Sequence, residues 1–83
     1  MQYQILITKK AKKDIDKLDI VAKKRLKRSL IKLLDDPIKQ SKKLIDPKIG
    51  QYRFRVGAHR IIFDLDGKKI VILRVGHRRE IYQ

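Results

Sequence analysis

The spacing of hydrophobic residues changes partway along this chain of 83 residues, and each part predicts a different kind of element. Residues 2–8 are rich in β-favouring side chains and predict an opening strand. Two stripes of apolar residues, spaced at intervals of three and four, predict a short helix capped by Thr8 and a longer helix that begins after Asp19. Asp36-Pro37 ends the longer helix, because proline has no backbone donor and disfavours a helical residue before it. The stripes consist of Ala11, Ile15 and Leu18 in the first helix, and of Ala22, Leu26, Leu30, Leu33 and Leu34 in the second.

From Gly50 onward, apolar and polar residues alternate with a period of two, which is typical of half-buried strands. The predicted strands cover residues 52–56, 60–65 and 69–75, followed by a polar tail. Gly57-Ala58 predicts a type II′ turn between the first two, and Asp66-Gly67 predicts a type I′ turn before the third. The order β-α-α-β-β-β predicts one α+β domain over residues 1–83, with a helical hairpin packed on one face of a small, mainly antiparallel sheet.

Strict alternation along these strands places arginine side chains on the sheet face away from the helices. The side chains predicted to face the helices are Tyr52, Phe54, Val56, Ile61, Phe63, Leu65, Val71, Leu73 and Val75. Those predicted to face outward are Arg53, Arg55, Arg60, Ile62, Asp64, Ile70, Ile72, Arg74 and, if the last strand continues, Arg78. A guanidinium is a rigid fork that matches phosphate oxygens, so this face predicts phosphate contact. The alternative is an ordinary solvated face, with Asp64 and Asp66 as partial counterions.

The charge balance points to the same kind of partner. Lys and Arg number 23 against nine Asp and Glu, so the net charge is +14, which favours a polyanion. Thirteen lysines and two arginines lie in residues 1–48, whereas two lysines and six arginines lie in residues 49–83. The chain has no Cys, no apolar run long enough to span a bilayer and no evident signal peptide. We therefore expect a soluble, cytoplasmic protein that has no membrane partner.

Few kinds of catalysis fit these residues. His59 and His77 lie eighteen residues apart without a metal-ligand spacing, so metal catalysis and a cofactor are not expected. Ser29 and Ser41 lack an accompanying base, which argues against a serine nucleophile. RNA supplies its own nucleophile, the 2′-hydroxyl, and then needs only a base, an acid and cations around the phosphorus. Arginine is a poor proton carrier, so the candidates for proton transfer are Tyr82, His77 and His59.

Two segments carry a resemblance to a known family. They are residues 52–63, YRFRVGAHRIIF, and residues 75–82, VGHRREIY. With this element order and an Asp-Pro closing the long helix, the chain resembles the RelE/ParE superfamily of type II toxins, and in particular the RelE-type mRNA interferases. The resemblance implies a RelE-like fold and an endoribonuclease that enters the ribosomal decoding site and cuts messenger RNA there. It also implies a cognate acidic antitoxin, which would silence the toxin in a hetero-oligomer.

The resemblance also assigns site residues. It implies a catalytic set of Arg53, Arg55, Arg60, Arg78 and Tyr82, to which we add His77 as a candidate for proton transfer. The best-known members carry lysines at the positions of Arg53 and Arg55, which shifts proton transfer here towards Tyr82 and His77. Further RNA contacts are expected from Arg74, Arg79, Lys9, Lys13, Lys24 and Arg28.

Two other functions remain open. A ParE-like inhibitor of DNA gyrase on the same fold would need no catalytic set. A non-catalytic RNA- or ribosome-binding module would be held by counterion release alone, so that each removed charge would weaken binding to a similar degree.

Overall fold

The computed structural model describes residues 3–39, 41–44 and 50–77. In chain order, the elements are β1 (Gln4–Ile7), α1 (Lys9–Asp16), α2 (Ile20–Asp35), β2 (Lys42–Lys43), β3 (Tyr52–Val56), β4 (His59–Asp66) and β5 (Lys69–His77). The predicted α+β class and element order are confirmed. The two-residue β2 is an addition, because it lies within the stretch that the sequence predicts as a connector.

The strands form one five-stranded sheet in the order β1-β5-β4-β3-β2. β1 pairs in parallel with β5, and the other neighbours are antiparallel. The helices pack on one face, here called the helix face, and the opposite one is called the outer face. Side chains from both layers form the core, which consists of Ala11, Leu26, Leu33, Phe54, Val56, Ile61, Phe63, Ile70, Ile72 and Val75. No helix among the described residues is both long and apolar enough to cross a bilayer.

Both helix starts are capped as the sequence predicts. The Thr8 hydroxyl accepts a hydrogen bond from the Ala11 amide at 3.2 Å, and the Asp19 carboxylate accepts one from the Ala22 amide at 2.7 Å. Each bond satisfies an amide that the first helical turn leaves without a partner. The Thr8 hydroxyl also donates to the Ile72 carbonyl at 2.9 Å, so this side chain joins the start of α1 to β5.

Thr8→Val is expected to lower the free energy of unfolding by about 2 kcal/mol, because it removes a helix cap and a hydrogen bond to β5 while keeping the shape of the side chain. Thr8→Ser keeps the hydroxyl and is expected to cost clearly less. Urea denaturation of the two variants beside the parent protein measures the difference. Equal losses in both variants would mean that the methyl group, and not the hydroxyl, carries the contribution.

The two hairpin turns have the same pattern. Gly57 has φ +59° and Gly67 has φ +60°, while no described non-glycine residue has positive φ. A positive φ at the first central residue alone is the type II′ pattern, which confirms the prediction for Gly57-Ala58. The predicted type I′ turn at Asp66-Gly67 is wrong. Asp66 pairs with Lys69 in the ladder, so the loop is Gly67-Lys68, one residue later.

A β-bulge in β5 changes which residues face the helices. The register between β4 and β5 shifts between Ile62 and Phe63, which leaves Leu73 as the extra residue. The prediction that Val71 and Leu73 face the helices is therefore wrong. The core side chains in that part of β5 are Ile70 and Ile72, both predicted to face outward and both fully buried. Beyond the bulge, Val75 faces the core as predicted.

Candidate functional site

Three of the predicted site arginines share the outer face. In the ladder, Arg55 lies directly opposite Arg60, and Arg53 lies opposite Ile62. Residues paired across a sheet project to the same side, while the neighbours Tyr52, Phe54 and Val56 pack towards the helices. Directly opposed side chains have Cβ atoms about 5 Å apart and diagonal ones about 7–8 Å, so the three arginines are close neighbours on this face.

Lys42 joins this group, although the sequence analysis did not single it out. The short strand β2 pairs with β3 so that Lys42 lies opposite Arg53, on the same face. Lys42, Arg53, Arg55 and Arg60 are called the basic patch from here on. No periodicity marks a two-residue strand, so only its pairing with β3 identifies Lys42.

Neither Arg53 nor Arg55 forms an ion pair with a carboxylate of the described residues. The Arg55 Nε donates to the Gly57 carbonyl of its own turn at 3.1 Å, and the side chain stays exposed. Asp64, expected as a partial counterion, instead accepts a hydrogen bond from the Gln51 amide at 2.8 Å. Opposed like charges destabilise a sheet, so the pairing of Arg55 with Arg60 costs stability.

Arg74 lies opposite Ile62, on the outer face as predicted, but its guanidinium does not join the basic patch. Its guanidinium is held by Asp14 of α1, with Nε 2.7 Å from one carboxylate oxygen and Nη2 3.3 Å from the other. The first of these oxygens also accepts the Val75 amide at 3.0 Å. Burial by itself would raise the pKa of Asp14, but the hydrogen bonds from Arg74 and Val75 and the charges of Arg74 and Lys17 outweigh it, so that the pKa is lowered. This pair joins α1 to β5.

His77 lies on the other side of the sheet from the basic patch. His59 is paired with Val56 on one side and with His77 on the other, and Val56 is a core residue. Both imidazoles therefore project to the helix face, at the end of the sheet. His59, which lies just before the predicted strand of residues 60–65, is the first residue of β4.

The remaining predicted residues fall into two groups. Arg78, Arg79 and Tyr82 lie outside the described residues. Those on the helices are all solvent-exposed, namely Lys9, Lys13, Lys24 and Arg28. The described part of the site thus offers cations in quantity, while among the described residues no three His, Asp or Glu side chains are grouped to hold a metal ion. Such a surface binds and neutralises phosphate groups.

Comparison with known proteins places this geometry in a family. The profile of the ParE toxin of type II toxin-antitoxin systems matches residues 5–82. A search of curated protein sequences found no significant match.

Solved structures agree with this match. The chain is similar to the RelBE2 toxin-antitoxin complex of Mycobacterium tuberculosis, with a TM-score of 0.84, 27% identity, and coverage of 94% of this chain and 100% of that one. The archaeal RelE-RelB complex of Pyrococcus horikoshii matches with a TM-score of 0.78 and 25% identity, over 96% and 99% of the two chains. The RelB-RelE complex of Methanococcus jannaschii matches with a TM-score of 0.74 and 30% identity, over 93% and 94%.

Proposed function

Since this chain belongs to the RelE/ParE superfamily of type II toxins, we propose that it is an endoribonuclease that cleaves messenger RNA on the ribosome. The observation that carries the proposal is the basic patch, in which arginines from β3 and β4 share one face and leave two guanidinium groups without a described carboxylate partner. An inhibitor that only binds a protein target has no need of arginines that repel one another across the sheet.

The patch acts on the phosphate during the reaction. The 2′-hydroxyl of the RNA attacks the adjacent phosphorus, the bond to the 5′-oxygen breaks, and a 2′,3′-cyclic phosphate is left on the upstream fragment. Negative charge accumulates on the non-bridging oxygens in the transition state, where fixed guanidinium groups stabilise it. Arg53, Arg55 and Arg60 take this role, together with Arg78 of the C-terminal segment. Lys42 adds a less directional charge beside Arg53.

Proton transfer requires a different residue type, because arginine stays protonated in proteins. We assign this role to Tyr82. A free phenol has a pKa of about 10, and neighbouring cations lower the pKa of a phenol. His77 and His59, the other candidates, both project from the helix face, so we give Tyr82 precedence as the proton carrier.

The exposed cations of the helices contribute attraction over a longer range. Lys9 and Lys13 of α1 and Lys24 and Arg28 of α2 project from the other layer of the molecule. Charges spread over a surface steer a polyanion towards it and raise the association rate, more strongly at low salt. We propose that they orient the toxin on ribosomal RNA, while the basic patch meets the scissile phosphate.

A cognate antitoxin completes the proposal. The similar structures named above are complexes of a RelE-type toxin with its RelB antitoxin. For this chain we propose an acidic antitoxin that folds along the cationic surfaces and neutralises part of the charge of +14. Co-purification with that partner is expected to raise the melting temperature, and an unchanged melting temperature after its removal would count against the complex.

The deciding experiment adds the purified protein to a translating extract that contains a reporter mRNA. We expect cuts within codons, 2′,3′-cyclic phosphate ends, and no cleavage when translation is blocked before the ribosome loads. Because the matching profile is that of ParE toxins, inhibition of DNA gyrase is the second candidate. Loss of supercoiling activity with intact mRNA would support gyrase inhibition and overturn the nuclease assignment.

A further inference from the structure

The two histidines of the described chain meet at the open end of the β4–β5 hairpin. They lie eighteen residues apart in the sequence, but the ladder pairs His59 directly with His77. Their ring centroids are 5.4 Å apart, and the ring planes are inclined at 65°. His59 is half-buried and His77 is exposed, so the pair is open to solvent on one side.

This pair lines a cleft that is separate from the basic patch. The cleft has a volume of about 330 Å³ and lies on the helix face, between the end of the sheet and the turn that joins α1 to α2. Its walls include Asp14, Lys17 and Asp19 beside the two histidines. Asp14 is engaged by Arg74, and one oxygen of Asp19 caps α2.

We infer that His59 and His77 together bind one transition-metal ion of the class that prefers imidazole ligands, with Zn²⁺ as the reference ion. Two imidazoles that bind one Zn²⁺ tetrahedrally, with Zn–N bonds of about 2.0–2.1 Å, have ring centroids about 5 Å apart. The centroid separation of 5.4 Å in this pair is close to that value. Both ligands stand on paired strands, so little freedom is lost when the ion binds.

The site has two protein ligands and is completed by water. Among the described residues no third His, Asp or Glu is grouped with the pair to make a full ligand set. Lys17 of the cleft and Arg25 of an adjoining pocket, which His59 also lines, oppose a cation, whereas the carboxylate of Asp19 favours one. Affinity then follows the order in which imidazole sites bind divalent ions, with Cu²⁺ above Zn²⁺ and Ni²⁺.

The bound ion acts as a clamp on the fold. It joins the first residue of β4 to the last residue of β5, at the point where the chain continues into the C-terminal segment. The inference concerns the helix face and stands independently of the nuclease proposal, so failure of one leaves the other intact.

The test uses the full chain without an affinity tag, titrated with ZnCl2 at pH 7.5 and followed by calorimetry and thermal unfolding. We expect one ion per chain and a higher melting temperature with the ion bound. His59→Gln and His77→Gln are each expected to weaken binding at least tenfold, whereas Asp66→Asn, which alters an exposed carboxylate at the far end of the hairpin, leaves it unchanged.

A spectrum of the parent protein provides a readout that does not depend on the variants folding. The imidazole carbon-bound proton resonances of both histidines are expected to shift together on addition of one equivalent of Zn²⁺. No binding at millimolar Zn²⁺, a shift of one histidine alone, or equal affinity in the parent and both histidine variants would each overturn the inference.

Discussion

Replacement of both Arg53 and Arg55 by glutamine is expected to lower the rate of mRNA cleavage in a translating extract by at least ~100-fold, since removal of even one group that stabilises transition-state charge costs about that much. The two side chains lie on the same face of β3, and neither forms an ion pair with a carboxylate of the described residues. Their loss removes charge at the scissile phosphate without removing an internal contact of the core. Primer extension on the reporter mRNA measures the cleavage rate.

A matched control separates this effect from general loss of charge. Lys27→Gln with Lys32→Gln removes the same charge from exposed positions of α2, and we expect cleavage to fall less than fivefold, mainly at higher salt. The patch variant is expected to melt no lower than the parent, because Arg55 no longer repels Arg60 across the ladder. Equal losses in both double variants would indicate binding by charge alone and would exclude a catalytic patch.

Asp14→Ala is expected to lower the free energy of unfolding by about 3 kcal/mol, which is the lower end of the cost of breaking a buried ion pair. The side chains of Arg74 and Asp14 are 23% and 12% exposed, so solvent moderates the loss. The substitution leaves both the guanidinium of Arg74 and the Val75 amide without their acceptor. Urea denaturation measures the change, and Asp16→Ala, at an exposed position of the same helix, serves as the control with little expected effect.

The contribution of Asp14 also has a defined pH dependence. Its pKa in the folded protein is below the ordinary value of 3.8, so the stabilisation is complete above that value and disappears as the pH falls through the folded-state pKa. The difference in unfolding free energy between the parent and Asp14→Ala is therefore expected to be constant near neutral pH and to shrink below about pH 4. A difference that persists unchanged at pH 2 would show that the carboxylate charge is not the source of the stabilisation.

Local chemistry explains what the sequence could predict. The caps at Thr8 and Asp19, the end of α2 before Pro37 and the turn at Gly57 each depend on residues within a few positions of one another. Alternation along β3 needs only its own five residues, and it correctly placed Arg53 and Arg55 opposite the core. These features can therefore be predicted from short stretches of the sequence.

The predictions that proved wrong concern features that depend on contacts between segments far apart in the sequence. The bulge at Leu73 lies where the Thr8 hydroxyl donates to the Ile72 carbonyl, 64 positions away in sequence, and no local signal marks such a contact. A loop at Asp66-Gly67 with an unbroken ladder would have set His59 opposite Arg74. The one-residue shift of the turn and the bulge together place His77, instead of Arg74, opposite His59. Arg74 likewise depends on a partner, Asp14, that periodicity along β5 does not reveal.

Ile61, Ile62 and Phe63 are three consecutive residues of β4 with no exposed surface, although a strand directs neighbouring side chains to opposite faces. Ile62 is therefore covered on the outer face as well, where the backbone at Gly50 and the Leu73 side chain approach one another. Water reaches the middle of this strand from neither side. Its amide protons are therefore expected to exchange with solvent only when the whole domain opens, and the slowest-exchanging protons in β4 are expected to report the global stability of the protein.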